Sequence, residues 1–180
     1  MDKQTIVESF AEQSHPDVLE TFDRASLEEL VAKHETPFMV LDLSEAEYQY
    51  KSLQAAMPGV KIFYALKSLS HPALIKRLKS LGSHFDLATI GEVNLVESLG
   101  ISGDRCIHTH PIKKDKEIKR SLEFGCTRMV VDNMEELKKF VPYSDQVEII
   151  FRVSFRSKQA VVDLSRKFGC ALEELPILVE

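Results

Sequence analysis

Short apolar runs alternate with amphipathic stretches from Pro37 onward, and this alternation constrains the fold more than any other feature of the sequence. The apolar runs predict six strands, near residues 38–43, 61–66, 85–88, 105–108, 128–131 and 147–153. The stretches between them predict helices near residues 45–56, 72–80, 90–99, 114–124 and 134–140. Because each strand is followed by a return helix, we expect a parallel sheet in an α/β fold.

Two architectures contain such a sheet. A doubly wound sheet usually carries a glycine-rich turn after its first strand, whereas the turn here is Ser44-Glu45-Ala46. The sequence therefore favours a (β/α)8 barrel, the TIM barrel. Such a barrel needs eight strands and about 250 residues, so this chain of 180 residues would supply about six of the eight strands. We expect an N-terminal helical segment over residues 1–35 and an incomplete barrel over residues 36–180.

Composition excludes two classes of partner. The net charge is −5 with acidic and basic residues interspersed, so no basic stripe is available for nucleic acid. No run approaches the roughly 18 apolar residues of a membrane span, and residues 1–16 are unlike a signal peptide. We therefore expect a cytoplasmic protein without membrane contacts. The widely spaced Cys106, Cys126 and Cys170 predict reduced, unpaired cysteines.

Three charged residues lie where predicted strands end. Lys67 follows the apolar run 61–66, Asp86 lies within the next strand, and Arg152 lies near the end of the last one. The carboxyl ends of barrel strands carry the active site, and buried charges are costly unless they are paired or functional. The three side chains therefore predict an ionic pocket at this edge. A solvated lysine, or a structural ion pair between Asp86 and Arg152, is the alternative.

Two other groups of residues carry weaker signals. His108 and His110 point to one side of their predicted strand, but zinc requires three or four ligands, and we predict no metal site. The charged run from Lys113 to Arg120 predicts a solvated helix face.

Four motifs, taken together and in order, resemble a known family. They are Phe63-Tyr64-Ala65-Leu66-Lys67, then Gly82-Ser83-His84-Phe85-Asp86-Leu87-Ala88-Thr89 with Glu92-Val93, then Phe151-Arg152-Val153, and Leu164-Ser165-Arg166-Lys167-Phe168-Gly169. The family is that of the pyridoxal-phosphate-dependent decarboxylases with the alanine-racemase type of barrel, and the ornithine decarboxylase branch is the most similar. The resemblance runs from about Thr36 to Glu180.

The resemblance implies pyridoxal 5′-phosphate as cofactor, bound to Lys67 as a Schiff base, with Asp86 and Arg152 lining its pocket. In this family the ring-stacking histidine, the phosphate-binding glycine turn and the partner of the ring nitrogen lie beyond residue 180. So does a C-terminal β-domain, which supplies a proton-donating cysteine and a substrate-binding aspartate across a dimer interface. We therefore expect an incomplete active site.

The implied function is decarboxylation of L-ornithine to putrescine in polyamine biosynthesis, by a homodimer in the full-length family. A truncated barrel portion is expected to be inactive alone. The alternatives are a relative that acts on lysine or diaminopimelate, a non-catalytic fragment that pairs with or regulates a full-length relative, and a broken gene product without function. The run from Lys113 lies near a basic surface by which related decarboxylases bind an inhibitor protein. Two departures from the family lie at the predicted site, at Leu69 and at His110-Pro111, where asparagine is usual.

Overall fold

A computed structural model describes residues 24–155 and 167–179. The described residues up to Tyr48 belong to one compact unit and those from Gln49 onward to a second. Helix α1, Arg24–His34, is the described part of the predicted N-terminal helical segment. Residues 1–23, and residues 164–166 of the fourth motif, lie outside the described residues. No helix in the described ranges is long and apolar enough to cross a membrane.

The predicted strand at residues 38–43 is wrong. Residues 37–42 have no strand structure, and helix α2, Leu43–Ala56, begins immediately after them. Oδ1 of Asp42 accepts hydrogen bonds from the backbone N–H groups of Ser44 at 2.7 Å and Glu45 at 3.2 Å. A side chain that satisfies the first free N–H groups begins a helix, so Asp42 ends the extended segment. A strand also needs a hydrogen-bonded neighbour, and this segment pairs with none among the described residues.

The remaining five predicted strands form one parallel sheet. They are β1 Phe63–Ala65, β2 His84–Leu87, β3 Cys106–His108, β4 Arg128–Val131 and β5 Glu148–Phe151, and the order in the sheet follows the order in the chain. A doubly wound sheet would reverse direction at a switch point, whereas barrel strands are added in sequence. The parallel α/β prediction is confirmed, and the part of the chain that the structure describes contains five of the six predicted strands.

Return helices follow the strands as predicted. They are α3 Pro72–Ser80, α4 Ile90–Ser98, α5 Asp115–Glu123 and α6 Met134–Lys138, and α7 Leu175–Val179 lies near the end of the chain. The start of α4 shows why the boundaries were predictable. Oγ1 of Thr89 accepts from the N–H of Glu92 at 3.2 Å, and the Glu92 carboxylate accepts from the N–H of Thr89 at 3.1 Å. This capping box begins the helix at Ile90, three residues after β2 ends at Leu87.

The sheet has a helix-covered face and an open face. Met129 and Val131 of β4 are fully buried and pack in one cluster with Ile118 of α5 and with Phe140. Residues of a strand alternate between faces, so the intervening residues point to the other side. Asp86 lies between two fully buried residues of β2 and is only half-buried, which places its carboxyl on the open face.

The three cysteines are buried and unpaired. Burial raises the pKa of the Cys106 and Cys126 thiols to about 12. Because the thiolate is the reactive form, these two side chains act as small apolar groups of the core.

Candidate functional site

Lys67 lies in the turn that follows β1. The preceding residue, Leu66, is fully buried, while Lys67 itself is exposed. The hydroxyl of Tyr64 donates to the carbonyl of Leu69 at 3.0 Å and accepts from the hydroxyl of Ser68 at 3.1 Å, which closes the turn. The Lys67 ammonium donates no hydrogen bond to any residue that the structure describes. An unengaged amine is therefore held at the carboxyl end of β1.

Asp86 lies beside Lys67, on the neighbouring strand. Its Cα pairs with that of Ala65, and its carbonyl accepts from the N–H of Leu66 at 3.1 Å. The Thr109 hydroxyl donates to Oδ1 of Asp86 at 2.6 Å. Burial raises the pKa of the Asp86 carboxyl, and the Thr109 hydrogen bond and the charge of Lys67 only partly oppose that rise. The structure thus brings two of the three predicted site residues together.

Arg152 lies at the end of β5 and belongs to a different contact group. Its guanidinium carbon is 5.3 Å from the centroid of the Phe168 ring, and it is exposed to solvent. The ring of His110 meets Phe168 edge-on, with 5.8 Å between centroids. Among the described residues Arg152 forms no ion pair with Asp86. The alternative of a structural ion pair between the two is therefore wrong.

A cavity of about 410 Å³ opens beyond the end of β4. Asp132, nearly buried, lines it and accepts from the backbone N–H of Gly169 at 2.9 Å and from the Asn133 amide at 2.8 Å. Lys167 and Phe168 line the same cavity. The Lys-Phe-Gly motif is therefore tied to the carboxyl end of β4, the sheet edge that also carries Lys67.

The two histidines of the predicted third strand have different surroundings. His108 is buried on the helix-covered face, where Nδ1 lies 3.1 Å from the Ser121 hydroxyl. Burial and the positive charge of Lys113 lower the pKa of His108 to about 4, so the ring is neutral. His110 lies beyond the strand end, against Phe168. The ranges described contain no group of three or more His, Cys, Asp or Glu side chains arranged to hold a metal ion.

The prediction of a solvated face for the run from Lys113 is wrong at its first residue. The Lys113 side chain is fully buried. Its ammonium donates to the carbonyls of His110 at 2.9 Å and Val130 at 2.6 Å and lies 3.3 Å from Oε1 of the buried Glu136. Lys113 lies before the first residue of α5, so the helical periodicity of the run does not determine its exposure. The pattern does hold within α5, where Lys119 is exposed.

Sequence reasoning missed Thr109, which contacts the candidate site directly. A signal was present, because Thr109 is the first residue after β3 and polar residues at that edge of a parallel sheet converge. The site as built joins an unengaged amine to a half-buried carboxyl that a hydroxyl holds in place. A primary amine in this position fits a cofactor that binds through an aldehyde.

Comparison with known proteins identifies the family. Residues 43–180 match the family described as "Pyridoxal-dependent decarboxylase, pyridoxal binding domain". The chain is 32% identical over 139 residues to lysine/ornithine decarboxylase of Selenomonas ruminantium, which covers 77% of this chain and 35% of that protein. It is also 32% identical over 143 residues to antizyme inhibitor 2 of Xenopus laevis, covering 79% of this chain and 31% of that protein.

The fold comparison agrees. A crystal structure of lysine/ornithine decarboxylase from Vibrio vulnificus, complexed with putrescine, is 42% identical and superposes with a TM-score of 0.77. The match covers 85% of this chain and 40% of that one. The same enzyme has also been solved with cadaverine. The chain thus spans between about a third and two fifths of the length of these relatives. It belongs to the pyridoxal-dependent decarboxylases, whose cofactor is pyridoxal phosphate, and it matches their pyridoxal-binding domain.

Proposed function

We propose that this chain supplies the cofactor-anchoring part of a decarboxylase that converts L-ornithine to putrescine, a step of polyamine biosynthesis. One observation carries the proposal. The unengaged amine of Lys67 lies at the carboxyl end of β1, and the half-buried carboxyl of Asp86 lies on the next strand. Active sites of parallel barrels are built at this edge.

Each site residue has a distinct role in the proposal. Lys67 holds the cofactor covalently through its side-chain amine. Asp86, fixed by Thr109, lines the pocket as a hydrogen-bond acceptor. Arg152, at the end of β5, lines it with a cation whose planar fork suits an anionic group. The bound cofactor supplies the electron sink that decarboxylation requires.

The proposed substrate is a basic amino acid, and ornithine is preferred to lysine. Putrescine is the product of ornithine decarboxylation, and the Vibrio vulnificus relative binds it. That relative also binds cadaverine, the corresponding product from lysine, so lysine is the second candidate. The two substrates differ by one methylene, which binding sites discriminate weakly.

Reductive trapping tests cofactor and substrate together. The purified chain is mixed with pyridoxal phosphate and borohydride, and the pyridoxyl group is mapped by mass spectrometry. We expect the label on Lys67, and we expect ornithine to protect Lys67 from it. N-acetyl-lysine in place of the chain gives the background, because ornithine also competes for free pyridoxal phosphate. Failure of ornithine to protect Lys67 beyond this background would overturn its assignment as substrate.

The 180-residue chain is expected to bind the cofactor without efficient turnover. Lys67 is exposed, so water is not excluded from the amine and its surroundings. Release of labelled carbon dioxide from ornithine should therefore stay close to the rate with pyridoxal phosphate alone. Rapid release that Lys67→Ala abolishes would show that the chain is an enzyme by itself.

A second candidate function is a non-catalytic pairing partner, and the similarity to antizyme inhibitor 2 favours it. Full-length members of the family are proposed to act as homodimers, and this chain would take the place of one subunit. Mixing the chain with a full-length ornithine decarboxylase separates the candidates. A mixed species in light scattering, with altered activity of the full-length enzyme, supports the partner. An unchanged mass and activity exclude it.

A further inference from the structure

A buried lysine that the proposed chemistry does not use lies beneath the candidate site. The side chain of Lys113 is fully buried, and so is that of Glu136 apart from about 2% of its surface. A buried ammonium is costly unless all its donors are satisfied. Lys113 has three acceptors for its three donors, which are the carbonyls of His110 and Val130 and Oε1 of Glu136.

The network around Glu136 is closed. Oε1 of Glu136 also accepts from the backbone N–H of Lys113 at 2.9 Å. Its other oxygen accepts from the ammonium of Lys139 at 2.6 Å, and that ammonium donates in turn to the carbonyl of Lys113 at 2.9 Å. The position of Lys113 is therefore fixed from both its backbone and its side chain.

The loop of residues 109–112, here called the rim loop, lies between this network and the candidate site. At one end the backbone N–H of Thr109 donates to Leu87 at 3.0 Å and its hydroxyl donates to Asp86 at 2.6 Å. At the next residue the carbonyl of His110 accepts from Lys113. The rim loop is thus held by the site carboxyl on one side and by the buried ammonium on the other.

We propose that Lys113 is a positioning residue, whose buried ammonium holds the rim loop so that the Thr109 hydroxyl stays on Asp86. This inference rests on the proposed function, in which Asp86 lines the cofactor pocket. Without the ammonium, the His110 carbonyl loses its buried donor, and the adjacent Thr109 is free to leave the carboxyl.

Titration of Asp86 tests the inference without cofactor. The Thr109 hydrogen bond lowers the pKa of Asp86, so a loosened rim loop raises it. Besides Thr109, the largest charge effects on the pKa of Asp86 are those of Lys67 and Glu92. A variant that removes Lys113 and Glu136 together loses one positive and one negative charge 3.3 Å apart, so a pKa shift that it causes reports a change of geometry. The pKa is read from the carboxyl carbon-13 signal of the 180-residue chain, assigned by comparison with Asp86→Asn.

Three variants are compared with the wild type. Thr109→Val removes the hydrogen bond directly and sets the scale of the rise. Lys113→Met leaves Glu136 charged and buried, which threatens folding, so the double variant Lys113→Met with Glu136→Gln is used beside it. Lys139→Met is the matched control, since it removes a lysine from the same network without touching the rim loop.

We expect the double variant to raise the pKa of Asp86 by at least half of the rise that Thr109→Val produces, while Lys139→Met leaves it unchanged. An unchanged pKa in the double variant overturns the inference, as does an equal rise in Lys139→Met. So does a Thr109→Val variant that fails to raise the pKa. Because the titration is performed without pyridoxal phosphate, its failure is distinct from a failure of Lys67 to bind the cofactor.

Discussion

The Thr109 hydroxyl donates a hydrogen bond of 2.6 Å to Oδ1 of Asp86 and so joins the residue after β3 to the middle of β2. It is the side-chain contact that fixes the carboxyl beside Lys67. Burial raises the pKa of the Asp86 carboxyl, and the Thr109 hydrogen bond and the charge of Lys67 oppose that rise. A carboxyl whose pKa is perturbed in this way is typical of functional sites.

Asp86→Asn should stabilise the fold at neutral pH. A carboxyl whose pKa is raised by folding stabilises the folded state at acid pH, below the pKa of the unfolded chain, and loses this as pH rises through the folded pKa. The introduced amide does not ionise, so this loss of stability disappears, and its oxygen can still accept the hydrogen bond from Thr109. Urea unfolding should give the variant a higher free energy of unfolding than the wild type near neutral pH and an equal one at acid pH.

Asp115→Asn is the matched control with the opposite sign. Hydrogen bonds from Lys119 and Tyr143 lower the pKa of the exposed Asp115 carboxyl. Its contribution is therefore present above the unfolded pKa and lost as pH falls. The control should lower stability at neutral pH, and a gain there would contradict the assignment of these hydrogen bonds.

Lys113→Met should be among the most damaging single substitutions in the described chain. Removing one partner of a buried ion pair leaves an unpaired charge and costs about 3–5 kcal/mol. The double variant with Glu136→Gln should recover most of that loss. Lys139→Met should cost less than about 1 kcal/mol, because the Lys139 side chain is 41% exposed. The stability losses are measured by denaturant unfolding. Equal losses from Lys113→Met and Lys139→Met would contradict the burial of the Lys113 side chain.

His108 should make the fold sensitive to mild acid. Folding lowers its pKa to about 4, against about 6.5 in the unfolded chain. Protonation thus favours the unfolded chain, so the contribution is intact above pH about 6.5 and is lost as pH falls toward 4, at up to about 3 kcal/mol. The stability difference between wild type and His108→Gln should shrink over that range. A constant difference would show that His108 does not titrate as the structure requires.

Gly169→Ala should disrupt the turn that meets Asp132. Gly169 has φ +105°, and an added Cβ would lie 2.8 Å from the Cβ of Ser154. We expect a loss of about 1–3 kcal/mol. Gly59→Ala is the control, since it shares a positive φ of 82° but has no atom within 4 Å of the added carbon. It should cost about 1 kcal/mol, and a loss equal to that of Gly169→Ala would exclude the steric contact.

Periodicity predicted the sheet because its strands are apolar runs, and helix-capping side chains, Thr89 and Asn133, follow β2 and β4 closely. It failed at residues 38–43, where an equally apolar run ends at the helix-capping Asp42 and pairs with no strand in the described ranges. Strand pairing depends on the tertiary structure and cannot be recognised from the local sequence.

The candidate site was predictable to the extent that strand ends converge. Lys67 follows β1 and Asp86 lies in the adjacent strand β2, so their proximity could be inferred from topology alone. The burial of Lys113 could not, because it depends on acceptors from His110, Val130 and Glu136 that only tertiary structure brings together. Exposed and buried lysines look alike in a charged run.

The most direct test of the account is where borohydride places the pyridoxyl group after incubation with pyridoxal phosphate. Peptide mapping should find it on Lys67, and Lys67→Ala should lose it while Lys61→Ala retains it. Lys61 is the matched control because it is also exposed but lies before the amino end of β1, whereas Lys67 follows the carboxyl end. Labelling spread evenly over the exposed lysines, or unchanged in Lys67→Ala, would contradict the assignment of Lys67 as the cofactor-binding residue.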